Sequence, residues 1–440
     1  MSQLEKSTLA KWPMVARLSR GDTPWLIGLS AVLLLTLLPF SSYIVSLPFI
    51  RAEWQMTNTQ AAMVFSSYLL GNAISALVLV PLTDRLSPGR VLTAGVIVLT
   101  IGNLLFPLLA WNFWAGSLLR FMAGAGHVAA YIPGVQLVSQ RYAGGKRGTA
   151  VGIFVSAGYA GTTISYTFMG LLLNVTPSWR IAYFITALVG LAGLALLYPL
   201  MREKRGATHQ IGGATTASPV GETNHRRGRL NLGVLRDRAI ALVIVAYTLH
   251  TAELYIVRLW FPSLLGETLT QAGMASVEAT SLAATLSGFM FMMGIAGVFA
   301  GGFISDYLGR SRGAALIFTV SGLCSWVAGW LLGAPPLLLI SLGFLYGFAT
   351  AADSAIYSTA VTELAPPDRI GSTQAVQTFI GFAVGAVMPV VAGSILDLAQ
   401  SASGWGLAFT FNGVLAIIGV ASLVWLRALP RATQMAAGKR

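Results

Sequence analysis

The chain has 440 residues, of which 55% are hydrophobic and only 10% charged, where an ordinary soluble domain carries about 25% charge. That balance excludes a water-soluble enzyme, a disordered chain and a disulfide scaffold, and a single cysteine, Cys324, excludes an intrachain disulfide or a cysteine metal cluster. The net charge of +13 would suggest nucleic acid in a soluble protein, but in a membrane protein it is first a question of which side the positive residues take.

A hydrocarbon core about 30 Å thick needs about 20 mostly apolar residues per crossing. Residues 1–24 precede the first such run. They mix basic residues with Trp12 and are expected to form a cytoplasmic segment on the membrane surface. Six runs follow, at 25–50, 59–83, 90–110, 114–142, 148–173 and 179–201, and they make an N-terminal six-helix bundle over 25–201. The polar stretch 202–238 reads as a cytoplasmic linker. Six more runs, at 239–265, 281–305, 313–332, 335–364, 371–396 and 405–429, make a C-terminal bundle over 239–429, and 430–440 is a cytoplasmic tail. The runs lack the alternation of a barrel, and open strands cannot satisfy their backbone in lipid. The fold class is therefore all-α integral membrane, with twelve transmembrane helices.

Of the 28 Lys and Arg residues, 24 fall on the side that holds both termini and the linker. The positive-inside rule makes that side the cytoplasm. The charge is thus a topology signal, and no nucleic-acid partner is expected. The compact loops suit a bacterial inner membrane.

The two sets of six resemble each other. Thr36-Leu37 and Tyr43 to Leu47 match Thr248-Leu249 and Tyr255 to Leu259 at an offset of 212. Asp84 matches Asp306 at 222, and Gly124, Gly148 and Gly158 match Gly347, Gly371 and Gly381 at 223. The growing offset predicts a lengthened loop over 266–280. A duplicated unit of one topology implies a pseudo-two-fold axis along the membrane normal, with a central site opened alternately to each side.

Ionisable side chains inside spans are costly and so mark function by default. Here they are Arg120 and His127 in span 4, His250, Glu253 and Arg258 in span 7, and Asp353 in span 10. Glu363 and Asp397 lie at span ends, where solvation or capping explains them. His250 and Glu253 share a helix face, whereas Arg258 lies about 140° round from Glu253, which argues against a direct pair. The matching positions in span 1 are Leu38, Ser41 and Ser46, so the duplicated scaffold does not need these charges. A carboxyl group kept from water holds its proton longer than one in solution. Glu253 is therefore the first candidate for proton coupling, with His250 as modulator. Arg258 suits a substrate carboxylate or phosphate, or else pairs with a fixed acid. His127, Tyr131, Tyr159, Asn72 and Gln377 are further candidates to line a substrate site, beside Tyr68, Gln136, Tyr166 and Gln374. For each of them helix packing is the competing explanation. Asp353, about 26 Å down span 10, is expected at an inner gate.

The chain resembles the major facilitator superfamily of secondary transporters. The family's loop motif stands in full at Gly302, Asp306, Gly309 and Arg310, and the first half carries an altered copy with Val80 for glycine and Asp84 followed by Gly89-Arg90. The span 4 motif stands as Arg120-Phe-Met-Ala-Gly124-Ala-Gly126. The resemblance implies a cytoplasmic clasp by Asp84, Arg90, Asp306 and Arg310, and a role for Arg120 in proton transfer. Simple positive-inside anchoring is the other reading of the clasp. The proline of the drug-antiporter span 5 motif and the asparagine and arginines of the nitrate porters are missing. There is also no phosphate-binding loop, since Gly144-Gly145-Lys146-Arg147 lacks its spacing and hydroxyl, so no cofactor is expected. The expectation is a monomeric, non-enzymatic secondary transporter in the lipid bilayer, taking a small-molecule substrate and protons by alternating access. A small organic anion is the leading substrate class. Efflux of lipophilic or cationic compounds is the alternative, and a non-transporting sensor on the same scaffold a third.

Overall fold

The computed structural model describes residues 23–82, 86–142, 147–202, 232–366, 369–399 and 403–440. Each of the twelve expected spans falls on helix, and no strand occurs among the described residues. Span 1 is a pair of helices, Thr23–Leu37 and Ser42–Glu53. Spans 2 to 6 are Asn58–Leu82, Pro88–Leu109, Phe113–Arg141, Arg147–Val175 and Trp179–Arg202. Spans 7 to 9 are Arg238–Gln271, Ser276–Leu308 and Arg310–Ala328. Span 10 is again a pair, Pro336–Ala352 and Ser354–Leu364, and spans 11 and 12 are Ile370–Ala399 and Ser403–Ala428. Ten of the twelve are long and apolar enough to cross a bilayer by composition, and spans 2 and 5 have matching lengths of 25 and 29 residues.

The two breaks differ in cause. Span 1 turns over 38–41, where Pro39 lacks an N–H and disfavours helix at the residue before it. The freed backbone is satisfied by span 5: Ser41 N–H donates to Ser165 Oγ at 2.9 Å, and Ser41 Oγ donates to the Thr162 carbonyl at 2.9 Å. Span 10 breaks at Asp353, between two alanines and a serine, with no proline or glycine at the break. Span 7 has no break. The loop expected to be long over 266–280 is only 272–275, because the additional residues prolong spans 7 and 8 as helix.

The duplication is visible in the packing. Spans 2 and 4, 3 and 6, 1 and 5, and 1 and 6 pack together, and the same pairs recur six spans later as 8 and 10, 9 and 12, 7 and 11, and 7 and 12. The strongest contacts across the halves are 2 with 11 and 5 with 8, which exchange under that repeat. Glycine allows the closest approaches. A Cβ on Gly301 would fall 1.8 Å from the Ala352 carbonyl oxygen, and one on Gly124 would fall 1.9 Å from that of Tyr68.

One end of the molecule carries the chain's basic residues Arg90, Arg141, Arg147, Arg310 and Arg427; the halves meet toward the other end. There Asp397 of span 11 receives the first N–H groups of span 2. Its Oδ1 accepts from the backbone N–H (2.8 Å) and Nδ2 (2.9 Å) of Asn58, and its Oδ2 from the N–H (2.8 Å) and Oγ1 (2.6 Å) of Thr59. Between spans 5 and 8, Ser281 Oγ donates to the Gly170 carbonyl (2.7 Å), Thr167 Oγ1 to that of Thr285 (3.2 Å) and Tyr159 OH to that of Phe291 (3.3 Å). These cross-half hydrogen bonds run from that end to mid-depth.

At the basic end the second half is closed by its own tail. Arg310 bonds Glu363 at 2.9 Å and Ser305 Oγ at 2.8 Å and pairs with Asp306. The Ala436 N–H donates to Glu363 at 3.0 Å, Lys439 Nζ to the Asp306 carbonyl at 2.7 Å, and Arg431 pairs with Asp237, the N-cap of span 7. Most of the linker, 203–231, lies outside the described residues.

Candidate functional site

Two buried arginines stand one in each half, and that of span 7, Arg258, meets the opposite half. Arg120 is fully buried in span 4. Its guanidinium lies over the Tyr68 ring at 4.5 Å and the Tyr43 ring at 5.4 Å, and its terminal nitrogens donate to the Phe40 carbonyl at 3.4 Å and Tyr183 OH at 3.5 Å. Its Nε has no partner. Arg258 is 7% exposed, with its guanidinium 5.3 Å from the centre of the Tyr159 ring on span 5, while Tyr166 OH donates to its carbonyl at 2.9 Å. Tyr166 lies within electrostatic reach of both arginines. Among the described residues neither arginine has a carboxylate within ion-pair distance. Cations held by a carbonyl, a hydroxyl and aromatic faces, with no carboxylate, are incompletely compensated, which favours an incoming anion.

Aromatic and amide groups line the seam around them. Tyr68 meets Phe40 edge-to-face at 5.2 Å and His127 at a tilt at 5.8 Å, and His127 meets Tyr131 edge-to-face at 6.2 Å. Tyr255 of span 7 reaches Phe65 of span 2 at 6.2 Å. Tyr68 OH, Asn72 Oδ1, His127 Nδ1 and Gln377 Nε2 are buried polar atoms without a protein partner. Each such atom costs on the order of 1–3 kcal/mol until something pairs with it. Spans 2, 4 and 11 thus present unpaired donors and acceptors. Gln136 Oε1 is likewise unpaired, whereas Gln374 Nε2 donates to Thr362 Oγ1 at 3.0 Å.

Glu253 points elsewhere. It is fully buried and accepts from Ser321 Oγ of span 9 (3.0 Å) and Tyr346 OH of span 10 (3.1 Å), and Tyr346 OH in turn accepts from Asn412 Nδ2 of span 12 (3.2 Å). One turn below, His250 Nδ1 stands 3.0 Å from Asp353 Oδ1, and its Nε2 lies 2.9 Å from Ser354 Oγ. Tyr357 OH donates to Asp353 Oδ2 at 2.7 Å. The structure therefore brings Asp353 to His250 inside the second half, at the break of span 10, while the loop motif at the basic end is a separate cluster of Asp306, Arg310 and Glu363. Arg90 is exposed on the first turn of span 3, and Asp84 lies outside the described residues. Sequence reasoning missed Ser321, Tyr346, Tyr357 and Asn412, which are ordinary residues in apolar spans. It passed over Asp397 and Glu363, whose partners lie 339 and 53 positions away.

The sequence profile of the Major Facilitator Superfamily matches residues 29–285 and again 243–439. The chain belongs to the Major Facilitator Superfamily. It is similar to the hexuronate transporter of Bacillus subtilis, with 24% identity over 93% of this chain and 95% of that protein. It is also similar to a probable L-galactonate transporter of Escherichia coli, with 24% identity over 93% and 90%. A bacterial homolog of the human lysosomal transporter Spinster, solved inward-facing and occupied, shares the fold with a TM-score of 0.73 at 15% identity over 93% and 98%. As a superfamily member the chain is a multi-pass membrane transporter of a small molecule.

Proposed function

We propose that this transporter carries a small organic anion, a carboxylate, across the bacterial inner membrane, driven by protons. The carrying observation is Arg258: a buried guanidinium at the seam, over Tyr159, with no acidic partner among the described residues. Arg120 adds a second buried positive charge inside the first half, within electrostatic reach of Tyr166. A carboxylate bound at Arg258 would leave its hydroxyls to the unpaired Tyr68, Asn72, His127 and Gln377. The names of the two relatives, both transporters of sugar acids, support the same class. The rival reading, efflux of a cation, needs an acid at the seam, and Glu253 and Asp353 turn toward spans 9, 10 and 12 instead.

The hydrogen bonds that join the halves at the end away from the basic residues support an inward-facing reading, with the basic end cytoplasmic. Glu253, with His250, carries the proton in this reading. Its two hydroxyl donors let it exist charged or neutral without losing both bonds. Arg120 is held on carbonyl and ring, a fixed charge rather than a proton carrier. The test is stabilisation of the purified protein by a panel of carboxylates, sugars and lipophilic cations, followed by flux in liposomes. Stabilisation by a sugar acid, lost in Arg258→Ala, is the expected result; stabilisation by cations alone overturns the substrate class. Glu253→Gln is expected to keep substrate exchange and lose accumulation driven by a pH gradient. Full accumulation in that variant overturns the coupling role.

A further inference from the structure

Span 10 breaks where nothing in its local sequence demands it, and a single histidine holds both sides of the break. His250 Nδ1 meets Asp353, the residue between the two helices, and His250 Nε2 meets Ser354, the first residue of the second helix. An imidazole nitrogen and a carboxylate oxygen 3.0 Å apart share a proton: neutral histidine supplies it from its Nδ1–H tautomer, with Nε2 accepting from Ser354, and imidazolium supplies it with a full positive charge. Neither atom has any other hydrogen-bond partner. The pair is 2% and 1% exposed, so when the imidazole is neutral solvent does little to compensate the carboxylate's charge.

The surroundings hold no fixed positive charge. Span 7 contributes Glu253 and Tyr247, the latter 6.1 Å from the Tyr357 ring. Span 9 contributes the Phe318 ring, 6.2 Å from His250, and the Cys324 thiol near Glu253. Span 10 contributes Tyr357 and Tyr346, span 8 backs the break with Gly301, span 11 meets span 7 through Gly381 and Gly385, and span 12 offers Asn412. No lysine or arginine among the described residues lies within ion-pair distance of the pair. Its charge is therefore set by how many protons it holds.

Below the break, Ser354–Leu364 is one rigid helix of 11 residues, about 16 Å long, and its far end carries Glu363 to Arg310 and to the folded-back tail. We propose that the His250–Asp353 pair is a proton site that sets the bend of span 10, so that this helix works as a lever from mid-membrane to the Asp306–Arg310 loop. A proton taken up by the pair makes it an ion pair, draws Asp353 and Ser354 onto span 7 and holds the bend. Its loss leaves a carboxylate beside Glu253 with no cation, and the lower helix swings. The inference rests on the proton-coupled reading above.

The test uses the substrate-free protein with nitroxides at Ser358→Cys and Trp425→Cys, both exposed positions, the buried Cys324 left in place. The interspin distance is followed between about pH 5 and pH 8, the range over which histidine changes charge. The expected result is a titrating distance in the parent, a pH-independent one in Asp353→Asn and in His250→Gln, and a titration that persists in Glu253→Gln with its midpoint moved by loss of the neighbouring carboxyl. Ser354→Ala, which keeps the pair and removes its second anchor, is expected to reduce the amplitude without moving the midpoint. A distance that ignores pH in the parent, or that still titrates in a folded Asp353→Asn protein, overturns the proposal. Uptake that follows the proton gradient with a pH-insensitive distance sinks the lever alone. A titrating distance in a protein whose uptake ignores the gradient sinks the coupling alone.

Discussion

Asp397 offers the sharpest test of how the halves are held. Its carboxylate occupies the N-terminus of span 2 as a cap, but it is supplied by the other half of the molecule, with four donors at 2.6–2.9 Å. Loss of a cap costs about 0.5–2 kcal/mol, and a negative charge at a helix N-terminus contributes about 0.3–1 kcal/mol. Within one domain that energy would stabilise the helix. Here the cap and the helix separate when this end opens, so the energy enters the equilibrium between closed and open forms. Asp397→Ala is therefore expected to raise the open population by about 1–2 kcal/mol, a factor of about 5–30. Asp397→Asn, which keeps the shape and one acceptor but not the charge, should raise it only about two- to five-fold. Ser263 lines a pocket at this end together with Arg51, Asn58 and Thr280, so Ser263→Cys reports opening by its rate of alkylation with a membrane-impermeant maleimide. If Asp397→Ala labels within twofold of the parent, the cap does not hold the halves and the reasoning fails.

Two further outcomes concern stability. Gly301→Val would place side-chain carbon against the Ala352 backbone at the break of span 10, where even a Cβ falls at 1.8 Å; a cost of at least about 1–3 kcal/mol and a lower melting temperature are expected, and a Tm equal to the parent's would contradict that contact. Burial alone would raise the Glu53 carboxyl, but hydrogen bonds from Arg180 and Trp179 more than offset it and hold it below the usual carboxylate range. A depressed folded-state value means stability that is present above the ordinary glutamate range and lost as pH falls through the folded value. Glu53→Gln should therefore lower the melting temperature at pH 7 and make little difference at about pH 3; an equal loss at both would show that charge plays no part.

Much of the fold was legible because lipid simplifies the code. An apolar run of bilayer length has to be helix, and all twelve runs are. Boundaries were less legible: 266–271 and 276–280 read as loop because they are polar, yet their backbone continues as helix beyond the apolar stretch. Neither break was read from the sequence: Pro39 accounts for the one in span 1, but nothing in Ala352-Asp353-Ser354 accounts for the one in span 10, whose stabilising partner is a histidine 103 positions earlier. Helical spacing placed His250 and Glu253 on one face and Arg258 on another, and the structure gives them those separate neighbours. It could not say which face met the seam. That depended on the rotation of span 7 against spans 5, 9 and 10, a property of packing between distant segments.

The duplication has left the two halves electrically unlike. Within the first six spans the buried charge is Arg120, which no accessible pH removes, and where the second half has Glu253 the first has Ser41, tied to span 5 by neutral hydrogen bonds. The acids buried inside spans, Glu253 and Asp353, belong to the second half. Each half therefore keeps one buried guanidinium of constant sign, Arg120 or Arg258, while among the described residues the second half adds buried acids whose charge a proton can alter. Two six-helix units of one plan have come to differ in that one holds a fixed charge and the other a fixed charge with switchable ones behind it.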